Sequence, residues 1–298
     1  MSAALFPDEA EIERLLVGPE SVAWRVSSDA RLQLAMLYPL LLQVAHPTVG
    51  AGVSDHSDFE RRPWDRLLRT VDYVNLLVYG GRDAAAAGRR LRALHKHFRG
   101  VRRDGVPYYA LEPGAYAWVH ATLIETYVAG HARFGRPMTR AEVERFYLEY
   151  RGLGRLIGVR EGQLPSDWDG FRRYFEGMIE RELERTDAVE RVLRSVLHLQ
   201  RPPLPVPELI WRAATLPAAR ALWLGGVGLM PARLRRRLGI GWSVIDEAAF
   251  RGLGILSRRL DPVLPETLRV SGPGHLRWRS AEISAGVLGP GPRSRAAA

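Results

Sequence analysis

Four of the eight histidines lie between residues 43 and 100, a stretch that opens with Gln43-Val44-Ala45-His46-Pro47 and closes with Leu94-His95-Lys96-His97-Phe98-Arg99-Gly100. A neutral imidazole can bind a metal or heme iron, or take a proton near neutral pH. His120 adds a third segment, Trp118-Val119-His120-Ala121-Thr122. Three helix-associated segments thus each set a histidine beside large apolar residues, as a buried cofactor pocket in a helical protein requires. Taken singly, each is also an ordinary hydrogen-bonded core histidine. His95 and His97 are two positions apart, so on a helix they diverge and only one can face a given pocket.

Between those ends lies Arg66-Leu67-Leu68-Arg69-Thr70-Val71-Asp72-Tyr73. It sets two guanidiniums, a hydroxyl and a carboxylate among apolar residues, and burying such groups is costly unless something meets them. Asp65 and Asp72 could pair with these arginines at helical spacing, each pair worth a few tenths of a kcal/mol. A core aspartate, a substrate carboxylate or heme propionates could serve instead.

Other chemistries find less support. His56-Ser57-Asp58 matches the start of an iron-binding His-x-Asp motif, but no β framework accompanies it and a capping turn is expected. No Glu-x-x-His pair suits a di-iron bundle. Gly152, Gly154 and Gly158 follow no strand, so they form no dinucleotide fingerprint. No P-loop and no Gly-x-Ser-x-Gly elbow occur. Cysteine is absent, which excludes disulfides and thiolate ligands and leaves His, carboxylate, Tyr, Met or Lys to hold iron.

The elements that must position these residues are helical. Asp8 to Val17 is amphipathic, and Ser27-Ser28-Asp29 caps an apolar helix over 30–45 that Pro39 should kink. Pro47 ends it in a bend or short second helix. A helix from Pro63 runs to Tyr79, stopped by Gly80-Gly81, and another spans Asp83 to Phe98. Ala115 to Phe134 has the pattern of a long buried helix. Thr139 with Glu142 forms a capping box for a helix to about Ile157. Further helices are expected from Pro165 to Glu184, Ala188 to Leu199, Glu208 to Ala214, Ala218 to Leu224, Pro231 to Leu238 and Ser243 to Leu260. No strand shows sustained alternation. The expectation is all-α, a single domain over 1–285 with a Pro-rich connector at 201–207, and a disordered tail over 286–298.

At 298 residues, 46% hydrophobic and 26% charged, the composition suits a globular chain with a sizeable core. The net charge is +10, but Lys96 is the only lysine and the arginines are dispersed. That favours a solvated arginine-rich surface over a nucleic-acid patch. The N-terminus lacks a secretory pattern, and the most apolar run, Leu34 to Ala45, is too short to span a bilayer. A cytoplasmic protein is expected, with oligomeric state open.

Taken together, several motifs resemble one family. They are Gln43-Val44-Ala45-His46-Pro47, Gly52-Val53 with His56-Ser57-Asp58-Phe59, and Pro63-Trp64-x-Arg66-Leu67-Leu68-Arg69-Thr70. Leu94-His95 to Gly100, Trp118 to Thr122, Tyr147-x-Glu149, Gly158-Val159, Leu164-Pro165 and Pro202-Pro203 extend the likeness over roughly residues 20–245. This pattern is similar to the oxygenases that include the mycophenolic-acid-pathway enzyme and latex clearing protein, a rubber oxygenase. The resemblance implies a globin-like helical core holding heme b, and O2-dependent cleavage of an isoprenoid double bond. By position it implies His95 as the iron ligand, with His97 as the fallback. Arg66, Arg69 and Thr70 fall where the rubber enzymes carry Arg-x-x-Lys-Thr on the distal side. Arg69 stands where those enzymes have lysine, and arginine is a poor neutral ligand. Their distal glutamate has no clear counterpart, His46 and Asp55 being nearest.

The reading is therefore a heme b oxygenase acting with O2 on a hydrophobic, isoprenoid or lipid-like substrate. Arg66, Arg69, Thr70 and His46 are its candidate catalytic residues, and His95, His97, Arg66 and His120 its candidate cofactor contacts. The alternative is a non-catalytic helical protein that binds heme or an acidic lipid-like ligand.

Overall fold

The computed structural model describes residues 5–202 and 206–284. Two short helices open the chain, α1 (Glu9–Leu15) and α2 (Val22–Ser27), and a 3-10 turn over Ala30–Ala35 leads into α3 (Leu37–Val44) and α4 (Pro47–His56). Next come α5 (Pro63–Tyr79), α6 (Asp83–His95) and a hairpin of β1 (Arg99–Val101) and β2 (Pro107–Tyr109). Then follow α7 (Pro113–Arg133), α8 (Arg140–Leu156), α9 (Trp168–Arg181) and α10 (Asp187–Leu197). Beyond the Pro-rich segment lie α11 (Glu208–Leu229), α12 (Ala232–Arg237), α13 (Val244–Leu260), α14 (Glu266–Arg269) and α15 (Pro273–Ser284). The all-α expectation holds. The one sheet among the described residues is the antiparallel hairpin, with Arg99 opposite Tyr109 and Val101 opposite Pro107.

The core forms around α3. Its residues Leu37, Tyr38, Leu41, Leu42 and Val44 are all buried, and α4, α7, α10 and α11 pack against it. Two hydrogen bonds fix α7 on α3: Trp118 Nε1 donates to the Leu42 carbonyl at 3.0 Å, and Gln43 Nε2 donates to Thr122 Oγ1 at 2.9 Å. The Trp118 bond lies in the interior, where an unmet donor would cost about 1–3 kcal/mol.

The helix expected over 30–45 is divided at Met36. Pro39 lies in the first turn of α3, where its missing N–H would have had no partner, so the break falls upstream of it. At His46-Pro47 the chain bends by 102° into α4. The two helices expected over 208–224 are one, α11, continuous through Pro217. Packing on α3 and α13 outweighs the hydrogen bond that Pro217 removes. The sequence reading also missed the hairpin, α14 and α15. The tail over 286–298, and 203–205 of the connector, lie outside the described residues.

One contact sets the position of α6. Its inner face is Ala84, Ala85, Ala87 and Gly88, small enough for the backbone to lie against the end of α8. A Cβ on Gly88 would come within 2.1 Å of the Leu156 carbonyl oxygen and 2.9 Å of Ile157 Cα. Gly88→Ala should therefore destabilise the fold by about 1–3 kcal/mol, even though alanine is the better helix former. Urea unfolding of the variant would check this, and unchanged stability would show that α6 does not need this close approach.

Candidate active site

The last residue of α6 is His95. Its Nδ1 lies 2.7 Å from the carbonyl oxygen of Leu91, one turn earlier. Only a protonated Nδ1 can make that bond, so the geometry assigns the tautomer with Nε2 as the lone-pair nitrogen. Among the described residues no hydrogen bond engages Nε2. Burial lowers the His95 pKa; the Leu91 bond opposes that, and the charges of Arg66 and Arg92 add to it. The ring is thus neutral near pH 7.

Aromatic side chains fix the ring's plane. Phe98 meets it edge-on at 5.3 Å and Tyr116 at 6.3 Å between centroids. Phe98 is backed by His56, stacked at 4.7 Å and 9°. Tyr116 donates to the Ile157 carbonyl at 2.9 Å and lies 5.2 Å beneath the Arg92 guanidinium. The ring therefore sits between the hairpin side and the start of α7.

On α5, Arg66 Nη1 donates to Thr70 Oγ1 at 2.6 Å, and that hydroxyl donates to the Arg66 carbonyl at 2.9 Å. Arg69 Nε donates to the Asp65 carbonyl at 3.0 Å. Neither arginine has a carboxylate partner among the described residues. The pairing expected within α5 does not form: Asp65 pairs with Arg62. Asp72 is held by Arg279 at 2.8 Å and His275 at 2.8 Å, both from α15. Arg66 keeps contact with water yet is crowded by protein, and this crowding, with Arg69, lowers its pKa. Its charge reaches His95. Leu67, Leu68, Val71 and Val74 on the same helix are only half-buried, which leaves an apolar flank beside the two free cations.

The other sequence-derived candidates lie apart from His95 and Arg66. His97 is exposed, beyond the end of α6. His46 is buried at the α3–α4 bend with its Nδ1 unpartnered. Burial lowers its pKa, while Glu112, Glu182 and Arg102 act on it from nearby. No hydrogen bond or ring contact joins it to His95 or Arg66. His120 is enclosed between α7 and α8: its Nε2 is bonded to the Tyr150 carbonyl at 2.8 Å, and its ring stacks on Tyr150 at 5.2 Å. Asp55 accepts a hydrogen bond from the Tyr108 hydroxyl at 2.5 Å. Around His56 and Asp58, as elsewhere among the described residues, no three His, Asp or Glu side chains gather as a metal site would require.

Sequence reasoning passed over Arg92 and Tyr116, which orient His95, and the pair of buried Glu125 and part-exposed Arg172, joined at 2.6 Å. Arg92 stands one turn before His95, a spacing that could have revealed it. Nothing local marks Tyr116 or Arg172.

The helical fold thus carries a neutral histidine that feels the charge of Arg66, two arginines without carboxylate partners among the described residues, and an apolar flank on α5. Residues 24–259 match the family described as ER-bound oxygenase mpaB/B'/rubber oxygenase, catalytic domain, and the chain belongs to that family. Two mycobacterial proteins are similar to it: uncharacterized protein Rv2237 of Mycobacterium tuberculosis and uncharacterized protein Mb2261 of Mycobacterium bovis. Each is 26% identical over 238 residues, which cover 77% of this chain and 90% of the relative. No solved structure matches.

The enclosure of His120 has a consequence for stability. Burial pushes its pKa down to about 4, whereas in the unfolded chain it is about 6.5. Between those values the unfolded chain binds a proton that the native protein refuses. Stability should therefore be full above about pH 6.5 and fall by about 3 kcal/mol from this residue as pH drops towards 4. His120→Gln, which keeps a donor for the Tyr150 carbonyl, should flatten that slope in urea titrations at a series of pH values. An undiminished slope would place the acid sensitivity elsewhere.

Proposed function

We propose that this chain is a heme b-dependent oxygenase acting with O2 on a hydrophobic, isoprenoid or lipid-like substrate. One observation carries the reading. The Nδ1 hydrogen of His95 is bound to the Leu91 carbonyl, so a neutral imidazole keeps its Nε2 lone pair free within reach of the Arg66 charge, and neither Arg66 nor Arg69 has a carboxylate partner among the described residues. A backbone-held Nδ1–H that fixes the ring and leaves Nε2 basic is what an iron-ligating histidine needs. The donor set fits heme: one neutral nitrogen, two cations able to meet propionates, and an apolar flank. Heme b would supply the activation of dioxygen.

This chain's own residues supply the rest. His95 would be the ligand, its plane set by Phe98 and Tyr116. Arg66, held by Thr70, would present guanidinium hydrogens to a propionate or to developing negative charge. Arg69 is tied to the α5 backbone through Nε, which leaves its terminal nitrogens for the same purpose. The half-buried leucines and valines of α5 would meet the apolar substrate and exclude water. His46 stands outside this group and would act, if at all, from the α3–α4 bend.

Heme reconstitution followed by absorption spectroscopy tests the proposal. The full-length protein should develop a Soret band with hemin, His95→Ala should lose it, and His97→Ala should keep it. Arg66→Ala with Arg69→Ala should weaken heme retention by about tenfold or more, the scale of a lost charged hydrogen bond. No Soret band after reconstitution would overturn the reading, and a band that persists in His95→Ala would overturn the ligand assignment.

A further inference from the structure

Between residues 89 and 109 the chain carries seven cationic side chains and one carboxylate, Asp104, so +6 of the net +10 falls in this stretch. Elsewhere surface arginines commonly stand beside acids, as Arg140 does with Glu144 and Asp169. Here Arg102 neutralises Asp104, and Arg103 leans back on Asp187 at 2.7 Å. Arg89, Arg90, Lys96 and Arg99 are exposed and form no ion pair among the described residues. Helical spacing sets Arg89, Arg90, Ala93 and Lys96 along one stripe of α6, away from the face that carries Gly88, and that stripe ends just before β1.

The hairpin is mounted firmly on the fold. Tyr108 donates to Asp55 of α4 at 2.5 Å, and its ring lies so close to Gly100 across the strands that a Cβ there would come within 2.8 Å of it. Side chains alternate along a strand, so Arg99 with Tyr109 and Val101 with Pro107 pair on the opposite face. All four are exposed. The turn satisfies its own polar groups. Gly105 N–H donates to the Arg102 carbonyl and Arg102 N–H to the Val106 carbonyl, each at 2.9 Å, and Asp104 accepts from Val106 N–H at 3.2 Å. An ordered tip thus offers Val101, 63% exposed, and Val106, 47% exposed, to solvent in a stretch of unpaired cations.

We propose that this hairpin and the outer stripe of α6 dock the protein on an anionic phospholipid surface. The charge is complementary to such a surface, where each cation adds attraction at short range. The apolar tip supplies what headgroup attraction alone does not. Val101, Val106 and Pro107 can enter the boundary between headgroups and acyl chains, and Tyr109 has the apolar body and polar end that suit that boundary. A nucleic acid would use the cations through its phosphates and leave the valines wet. Docking in this way also serves the candidate site. Phe98, which meets the His95 ring edge-on, immediately precedes β1, so a lipid-like substrate would leave the membrane beside α6. That last link rests on the oxygenase reading above; the docking does not.

Sedimentation with vesicles tests the docking, using the full chain without added heme so that the result is independent of heme binding. The protein should pellet with phosphatidylcholine vesicles that contain phosphatidylglycerol and stay in solution with phosphatidylcholine alone. Lys96→Glu with Arg99→Glu should weaken binding by about thirtyfold or more. Val101→Ser with Val106→Ser, which leaves the charge unchanged, should weaken it by about fivefold or more. Thermal unfolding of both variants should stay unchanged, because all four side chains are exposed. Arg259→Glu with Arg269→Glu reverses two exposed cations on α13 and α14, and should change binding by less than about threefold. An equal loss in that pair would show a general attraction of a basic protein and overturn the docking surface. No pelleting with anionic vesicles, or serine variants that bind as well as the native chain, would overturn it too. A chain that pellets as described yet takes up no heme would keep the docking and sink only the oxygenase reading.

Discussion

The fold depends on α3 being apolar on every face. A helix of that kind has no side to give to water, so the chain must surround it. That necessity brings α4, α7, α10 and α11 together from distant parts of the sequence. Two polar groups near its end have fixed partners. Gln43 reaches Thr122, and the Leu42 carbonyl receives the Trp118 indole. With α7 fixed in this way, its first turns become a wall against which Tyr116 and then His95 are placed.

Against that centre the candidate site is a peripheral construction. α5 and α6 are joined by a turn at Gly80-Gly81, and α6 is set on α8 through Gly88. The outer half of α5 stays half-buried, unlike α3 or α7. Its counter-charge comes from far along the chain, since α15 supplies Arg279 and His275 to Asp72. That bond removes the carboxylate that would otherwise compete for Arg69 three residues earlier. Among the described residues Arg66 and Arg69 are left without a carboxylate partner, as a result of how the last described helix docks on Asp72.

Much of this architecture was legible because it is local. The Thr139–Glu142 capping box, the Ser243 start of α13 and the proline that opens α5 are short-range signals, and each marks a real helix start. The failures share one cause, which is tertiary context. Pro39 and Pro217 read as kinks or breaks, yet one falls in a first turn and the other in a helix held by its neighbours. For the site, residue types and the resemblance drew attention to His95, Arg66, Arg69 and Thr70. The resemblance implied His95 as the iron ligand, but residue type and spacing alone did not separate it from His120. That difference rests on which ring nitrogen finds a carbonyl: Nδ1 to Leu91 in one case, Nε2 to Tyr150 in the other. One choice leaves an open Nε2 on a half-buried ring, the other leaves an unpartnered Nδ1 sealed in the core between α7 and α8.

The same reasoning bears on Arg69, where the chain departs from the rubber enzymes. A lysine at that position can lose its proton and offer a lone pair, whereas a guanidinium keeps its charge at any accessible pH. This part of α5 therefore carries two guanidiniums, and burial and the charge of Arg69 lower the pKa of Arg66 although its side chain still meets water. Two like charges on adjacent turns of one helix repel, and Thr70 and the Asp65 carbonyl relieve this only through hydrogen bonds, not through charge. An anion between them would relieve that repulsion, so the two guanidiniums suit the propionate contact proposed for them whether or not a nitrogen from α5 ever meets a metal.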